Sequence, residues 1–344
     1  MIRLAVIGYG YWGPNLVRNA AEVADAEVAL VVDRRPERLA LAKRRDPGVT
    51  TVTDAQAAFD DPRIDAVVIA TPVSTHYELA HRALRAGKHV LVEKPICFSS
   101  EDALRLVDEA AARRLVLMVD HTFTYTGAVR KIKSLIDSGQ IGELYYYDSV
   151  RINLGLFQSD VSVLWDLAVH DLSIMDYLLS RTPEAISCTG SRHVPGHPED
   201  VAYLTLYFPD NLIAHFHVNW LSPVKLRRTL IGGSNKMIVY DDLEPAEKVR
   251  VHDKGLIFAE NPERLNEALL RGYRSGDVWS PEVDLTEALR TELNHFVDCI
   301  ATRAQPITDG EAGLRVVRLL ETAEMSLKSQ GVPVECTPTV RTTV

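Results

Sequence analysis

Three short stretches of this 344-residue chain carry side chains and spacings that could do chemistry. The first is Gly8-Tyr9-Gly10-Tyr11-Trp12-Gly13, set between an apolar run at 2–7 and a helix-like run at 14–23. A glycine loop between a strand and a helix turns unpaired N–H groups and the positive end of a helix dipole toward an anion, and a diphosphate meets that need. Gly8 permits the tight turn, Gly10 lets a pyrophosphate approach the backbone, and Gly13 lets the helix lie close to the first strand. Asp33 falls 20 residues after Gly13, at the end of a second apolar run, where a carboxylate can accept hydrogen bonds from a ribose 2′-OH. The loop and Asp33 together predict a dinucleotide site. NAD is favoured because a carboxylate repels a 2′-phosphate. Arg34 and Arg35 follow directly and keep NADP open, since arginine is what a 2′-phosphate would want.

The second stretch is Glu93-Lys94-Pro95, which closes an apolar run at 89–92. Ligands of an open α/β sheet bind beyond the carboxyl ends of its strands, so Lys94 falls where a nicotinamide would lie. An arbitrary lysine before a proline turn is more often plain surface. The third is Asp166 and His170, four apart and therefore on one face of a helix. Taken alone, Asp166 reads equally well as a helix cap and His170 as a packed or exposed imidazole.

The elements that must position these residues follow two grammars. From the start to about residue 120, apolar runs at 28–32, 66–70, 89–92 and 115–119 alternate with helical patterns at 36–45, 75–86 and 99–113. That alternation predicts an α/β Rossmann domain, a doubly wound parallel sheet, over residues 1–120. Residues 121–344 predict an α+β domain with a predominantly antiparallel open sheet. Helices are expected at about 126–137 and 167–179, and strands at 144–153, 185–192, 201–208, 212–220, 225–231 and 236–240. Pro209-Asp210-Asn211 reads as a hairpin turn. The stretch 244–282 lacks periodicity and reads as irregular. Helices at 286–303 and 309–329 close the chain, the last free to pack back on the first domain. One face of the second sheet, assigned to Phe216, Val218 and Trp220, needs a cover, and a homodimer or homotetramer through that sheet would supply it.

Composition narrows the class. The chain is 46% apolar and 25% charged, ordinary for a globular protein, and its net charge of −9 argues against a nucleic-acid partner. Cys97, Cys188, Cys299 and Cys336 form no CxxC pair and read as reduced thiols of a cytoplasmic protein. The first residues already read as a strand rather than a signal peptide, and apolar runs are too short to span a membrane.

Taken together and in order, these pieces resemble the Gfo/Idh/MocA oxidoreductases over almost the whole chain. The resemblance rests on Gly8 to Gly13, Thr71-Pro72 with His76, Glu93-Lys94-Pro95, Asp166 with His170, and the closing segment with Pro306, Asp309-Gly310 and Ser326. It implies that Lys94, Asp166 and His170 form the catalytic group, that Thr71, Pro72, His76, Glu93 and Lys94 line the nicotinamide side, and that the Lys94–Pro95 peptide is cis. The implied chemistry is hydride transfer between nicotinamide and a secondary alcohol. An imidazole, titrating ordinarily at about 6.5, suits His170 as acid and base. Lys94 would steady the developing alkoxide, and both residues must then face one nicotinamide ring.

Substrates implied by the resemblance are sugars, sugar nucleotides and cyclitols. A sugar nucleotide such as UDP-N-acetylglucosamine, oxidised at C3, is favoured, with a cyclitol or amino sugar as the alternative. Lys225 and Arg227 could meet a diphosphate and Trp220 could stack a ring, although a solvated basic edge and a packed tryptophan are the plainer reading. Tyr125, Arg151, Asn153 and Trp165 complete the substrate-side candidates. His215 and His217 share a strand face and read as cross-strand packing rather than metal ligands, and Asp241-Asp242 with Glu244 reads as a solvated turn. Hydride transfer needs no metal and none is expected. A non-catalytic NAD-binding protein on the same fold, and an enzyme that recycles a resident cofactor, remain the competing classes.

Overall fold

The computed structural model describes residues 1–155, 161–256 and 273–336. The chain divides into two compact units, Met1–Thr126 with Leu285–Arg318, and Gly127–Asp284 with Leu319–Val344.

The first unit runs β1 (Ile2–Ile7), α1 (Gly13–Ala20), β2 (Ala26–Val32), α2 (Pro36–Arg45), β3 (Thr50–Val52), α3 (Gln56–Asp60), β4 (Ala66–Ile69), α4 (His76–Arg85), β5 (His89–Glu93), α5 (Ser100–Arg113) and β6 (Leu117–Asp120). Its strands form a parallel sheet in the order β3-β2-β1-β4-β5-β6, the doubly wound Rossmann order. Every residue of β4 and β6 is buried, as strands covered on both faces must be. The short β3 and α3 escape a periodicity reading because three and five residues hold too few turns of pattern. Ser99 caps α5 by accepting from the Asp102 N–H. The helix Ala288–Thr302 buries Leu289, Leu293, Phe296 and Val297 in the same core as Leu4, Val6 and Leu16. Thr308 and Asp309 then cover the edge of β6, with the Val119 N–H donating to the Thr308 carbonyl.

The second unit holds α6 (Gly127–Asp137), β7 (Leu144–Leu154), a π-helical turn Leu164–Ala168, α7 (Val169–Leu179), β8 (Ala185–Ser191), β9 (Val201–Tyr207), β10 (Ile213–Asn219), β11 (Leu221–Gly233), β12 (Met237–Asp241), β13 (Val249–His252), β14 (Gly255–Leu256), β15 (Tyr273–Arg274), β16 (Val278–Trp279) and β17 (Val334–Glu335). Among the described residues its main sheet runs β16-β13-β12-β11-β7-β10-β9-β8-β17. Neighbours in it are antiparallel except β7 and β10, which pair in parallel. The turn at Pro209-Asp210-Asn211 joins β9 to β10 through left-handed Asp210 (φ 62°) and Asn211 (φ 61°), a conformation these two residue types tolerate. Part of the stretch expected to be irregular, 244–282, forms β13 to β16. Residues 257–272 of it lie outside the described residues.

One expectation is inverted. Phe216, Val218 and Trp220 are completely buried rather than open on a sheet face. The outward positions of β10 are Ile213, His215, His217 and Asn219, beside Tyr203 and Tyr207 of β9. Side chains alternate with period two, so a strand placed in the wrong parity exchanges its whole inner and outer sets. The Tyr203 ring stacks on His217 with centroids 4.4 Å apart, and His215 Nδ1 lies 3.1 Å from Thr205 Oγ1, so both histidines serve cross-strand packing. Among the described residues, no helix is long and apolar enough to cross a membrane.

Candidate functional site

In the first unit, the glycine loop is built as its spacing predicts. Gly8 has φ +100° and a Cβ there would strike the Ala70 carbonyl, so only glycine makes this turn. A Cβ on Gly13 would strike the Gly8 carbonyl, which fixes how closely α1 starts against the loop. At Gly10 the nearest atom a Cβ would meet is Arg35 Nη2 at 3.7 Å, so the backbone there is open to a ligand. Tyr9 is buried, Trp12 half-buried and Tyr11 88% exposed. Asp33, at the end of β2, accepts from the Tyr9 N–H at 2.8 Å and from the Arg35 N–H and Nε at 2.9 and 3.2 Å. Burial raises its pKa, but the Arg35 and Tyr9 hydrogen bonds outweigh that and hold the carboxyl below its ordinary value. An ionised Asp33 beside an open Gly10 suits an adenosine ribose and a pyrophosphate. Arg34 is exposed, and Arg35 is the neighbour that pairs with Asp33.

At the ends of β4 and β5, His76 bridges two loops. Its Nδ1 lies 2.8 Å from the Pro95 carbonyl and its Nε2 2.9 Å from the Thr71 carbonyl. Burial pushes its pKa down although both carbonyls favour the charged ring. Thr71 Oγ1 meets Thr75 Oγ1 at 2.7 Å, and the Thr75 hydroxyl donates to the Pro72 carbonyl. The Lys94–Pro95 peptide is cis, and the Lys94 N–H donates to Glu93 Oε2 at 3.0 Å. Tyr125 is buried with its hydroxyl 3.0 Å from Thr308 Oγ1, a packed role within its own unit.

Sequence reasoning missed the acids around these residues. Asp120 pairs in register with Glu93 and accepts from the Trp12 indole N–H at 3.0 Å and from the Thr122 hydroxyl. Glu292, on the helix Ala288–Thr302, is completely buried, its carboxyl beside Asp120 and the His121 backbone. His121, also buried, is pushed down to about 4 by burial, with Asp120 opposing and Lys94 adding. Desolvation holds Glu292 well above the ordinary glutamate value, and Asp120 and Glu93 add to it; Glu93 is raised by desolvation and Asp120 against the pull of Lys94. The positional rule that marks Lys94 also marks Asp120, which ends the next strand. A lone acid on the apolar stripe of Leu289, Leu293 and Phe296 was the signal for Glu292.

A pH dependence follows. A carboxyl whose folded pKa exceeds its unfolded value keeps a proton that the unfolded chain gives up, so stability falls as pH rises from about 4.5 toward the raised value. Glu292→Gln keeps shape and neutrality without that penalty. The variant is expected to melt with the wild type near pH 5 and to gain on it toward pH 8, by a few degrees for each pKa unit of displacement, about 1.4 kcal/mol. Melting curves that stay parallel across this range would show that Glu292 is ionised in the folded protein.

In the second unit, Asp166 sits in the π-helical turn and His170 in the first turn of α7. Single π turns recur at functional sites. Across residues 163–170, Asp166 and His170 alone keep partial exposure; the rest are buried. The Trp220 indole N–H donates to Asp166 Oδ2 at 3.2 Å. Trp220 is 0% exposed, an interior ring that offers no stacking surface. Trp165 is buried, its indole N–H donating to Glu324 at 3.3 Å. Arg151 is buried in a two-pronged pair with Asp171, Nε to Oδ2 at 2.8 Å and Nη2 to Oδ1 at 2.9 Å. Asn153 is half-buried two residues further along β7. On β11 Lys225 is exposed, whereas Arg227 pairs with Asp242 at 3.1 Å.

Comparison with known proteins agrees with this architecture. Residues 2–121 match the model described as an oxidoreductase family with an NAD-binding Rossmann fold, and residues 129–239 match the GFO/IDH/MocA C-terminal domain. An uncharacterized oxidoreductase of Streptococcus pneumoniae is 27% identical over 231 residues, 62% of this chain and 61% of its own length. Inositol 2-dehydrogenase 2 of Saccharopolyspora erythraea is 33% identical over 198 residues, 56% of this chain and 57% of its own. The chain thus spans less than two thirds of the length of these two relatives. UDP-N-acetylglucosamine 3-dehydrogenase of Acidithiobacillus ferrooxidans is 27% identical over 322 residues, 92% of this chain and 94% of its own. Its solved structure superposes with a TM-score of 0.81 at 24% identity, covering 96% of this chain and 98% of that one, which is a likeness of fold. With both of its domains matched by models of the same family, the chain belongs to the Gfo/Idh/MocA oxidoreductases and carries their NAD-binding Rossmann domain.

Proposed function

We propose that this protein is a nicotinamide-dependent dehydrogenase of CH–OH groups, acting on a sugar nucleotide at C3 of a UDP-N-acetylhexosamine-type sugar. The observation that supports it most is the pair Asp166 and His170, half-exposed in an otherwise buried run, in a chain whose other unit carries a glycine loop completed by Asp33. The glycine loop, Asp33, Thr71, Pro72 and Glu93 hold the cofactor; nicotinamide, when bound, accepts or returns the hydride. His170 takes the hydroxyl proton as the alcohol becomes a ketone and gives it back in reduction. Lys94 donates to the same oxygen and stabilises its developing charge, and Asp166 orients the imidazole or a neighbouring hydroxyl.

A cyclitol is the second reading, favoured by one observation: Arg227 is tied to Asp242, so the edge expected to meet a diphosphate retains only Lys225 of the two. The chain is further proposed to assemble as a homodimer or homotetramer through the outward sheet face, where Tyr203, Tyr207 and Ile213 are 42%, 39% and 40% exposed. A single-chain mass by light scattering would remove that proposal.

The deciding experiment is a panel of UDP-N-acetylhexosamines, myo-inositol and amino sugars, each with NAD and with NADP, followed by reduced-nicotinamide absorbance. Turnover of a UDP-sugar with NAD is expected. Tight NAD binding without reduction by any member would return the protein to the non-catalytic class, and near-stoichiometric nicotinamide on the purified protein would point to in-place recycling.

A further inference from the structure

Asp166 is held by a frame that the proposed chemistry does not itself require. The Trp220 side chain is wholly enclosed. Its backbone N–H donates to the Asp200 carbonyl at 2.9 Å, and its carbonyl accepts from the Gly155 N–H at 2.9 Å. A Cβ on Gly155 would strike the indole ring, so glycine is what lets the ring lie against that strand end. Asp200, also 0% exposed, is fixed in turn by the N–H groups of His193 and Val194 and by His193 Nδ1. The adjoining Glu199 carbonyl takes the Val163 N–H at 3.0 Å, immediately before the π-helical turn. One frame therefore grips the turn that carries Asp166 and the ring whose N–H reaches its carboxylate.

We infer that Trp220 is a positioning residue for Asp166: its indole N–H, locked by Asp200 and Gly155, fixes the carboxylate in the rotamer used in the reaction. The inference rests on the reading of Asp166 as part of the catalytic group. A lone carboxylate on a turn with room to rotate would spend part of its time in unproductive rotamers. A rigid donor on one oxygen removes that freedom. A buried indole N–H needs an acceptor, and Asp166 supplies it.

The test uses the full chain, NAD, and UDP-N-acetylglucosamine or myo-inositol, whichever the wild type oxidises. Trp220→Phe keeps a buried ring and deletes the donor. It is expected to lower kcat about 10-fold or more with the KM for NAD unchanged, and to add less than twofold when placed on Asp166→Asn. A purely structural tryptophan would lower kcat by the same factor in both backgrounds, and that result overturns the inference. Full kcat in Trp220→Phe alongside a crippled Asp166→Asn overturns it while leaving the catalytic reading intact; full kcat in Asp166→Asn defeats both. Should Trp220→Phe fail to fold, ¹⁵N spectra of the wild type and Asp166→Asn decide the matter. One of the four indole N–H resonances must move on losing the carboxylate, and four unmoved resonances overturn the inference.

Discussion

His170→Ala and Lys94→Ala should each cut turnover by about 10²–10⁴-fold while NAD still binds. The size follows from what each group supplies. Without His170 the hydroxyl proton must leave to water in the transition state, and general-base catalysis by a placed imidazole is ordinarily worth about that factor. Without Lys94 the developing alkoxide loses a charged donor, which costs about 3–4 kcal/mol, or 10²–10³ in rate. Affinity for NAD should hold because the contacts assigned to it are the glycine loop, Asp33 and the ends of β4 and β5, and the Lys94 N–H that donates to Glu93 belongs to the backbone. Titration of cofactor fluorescence in each variant, beside steady-state kinetics, separates the two effects. Wild-type turnover in both variants would defeat the proposed mechanism; loss of NAD affinity in step with kcat would move Lys94 from chemistry to binding.

The parts of this molecule that were legible in its sequence are those whose physics is local. The glycine loop could be read because turn, approach and packing each demand the absence of a Cβ at a fixed spacing, and the contacts at Gly8, Gly10 and Gly13 match those three demands. The parallel sheet could be read because strands buried on both faces are apolar along their length, as β4 is. Long-range partners left weaker traces. The parity of β10 was misjudged because Phe216, Val218 and Trp220 alternate with His215, His217 and Asn219, and either set can face a core when the neighbouring strands are unknown. Trp220, assigned to the open sheet face yet more plainly read as a packed ring, is interior. Arg151 looked available for the opposite reason: no local pattern announces that Asp171, 20 residues away, will meet it. Asp120 and Glu292 are 172 residues apart in the chain, and their mutual influence arises only from folding. Asp166 and His170 were separated from background by family pattern rather than by spacing, since an i, i+4 acid and histidine on a helix is common for reasons of capping and packing alone.

Asp171→Leu should be the most damaging single substitution for stability. It leaves the Arg151 guanidinium, 3% exposed, without the carboxylate that holds both of its prongs. Burial alone would lower the pKa of Arg151; Asp171 is the foremost of the groups that raise it, ahead of Tyr240 and Asp242, and without it a group that keeps its charge at any ordinary pH loses its main compensation away from water. Removing one member of a buried pair typically costs about 3–5 kcal/mol, enough to lower the melting temperature by roughly 10 °C or more. Arg151→Met combined with Asp171→Leu removes both charges at similar volume, and it should recover most of the loss, because an apolar pair has no desolvation penalty to offset. The double variant also settles whether Arg151 touches substrate. If its guanidinium serves only Asp171, the KM for substrate stays within twofold of the wild type once folding is restored. A KM that rises tenfold or more in a variant that melts like the wild type would mean that Arg151 leaves Asp171 for the substrate during the reaction.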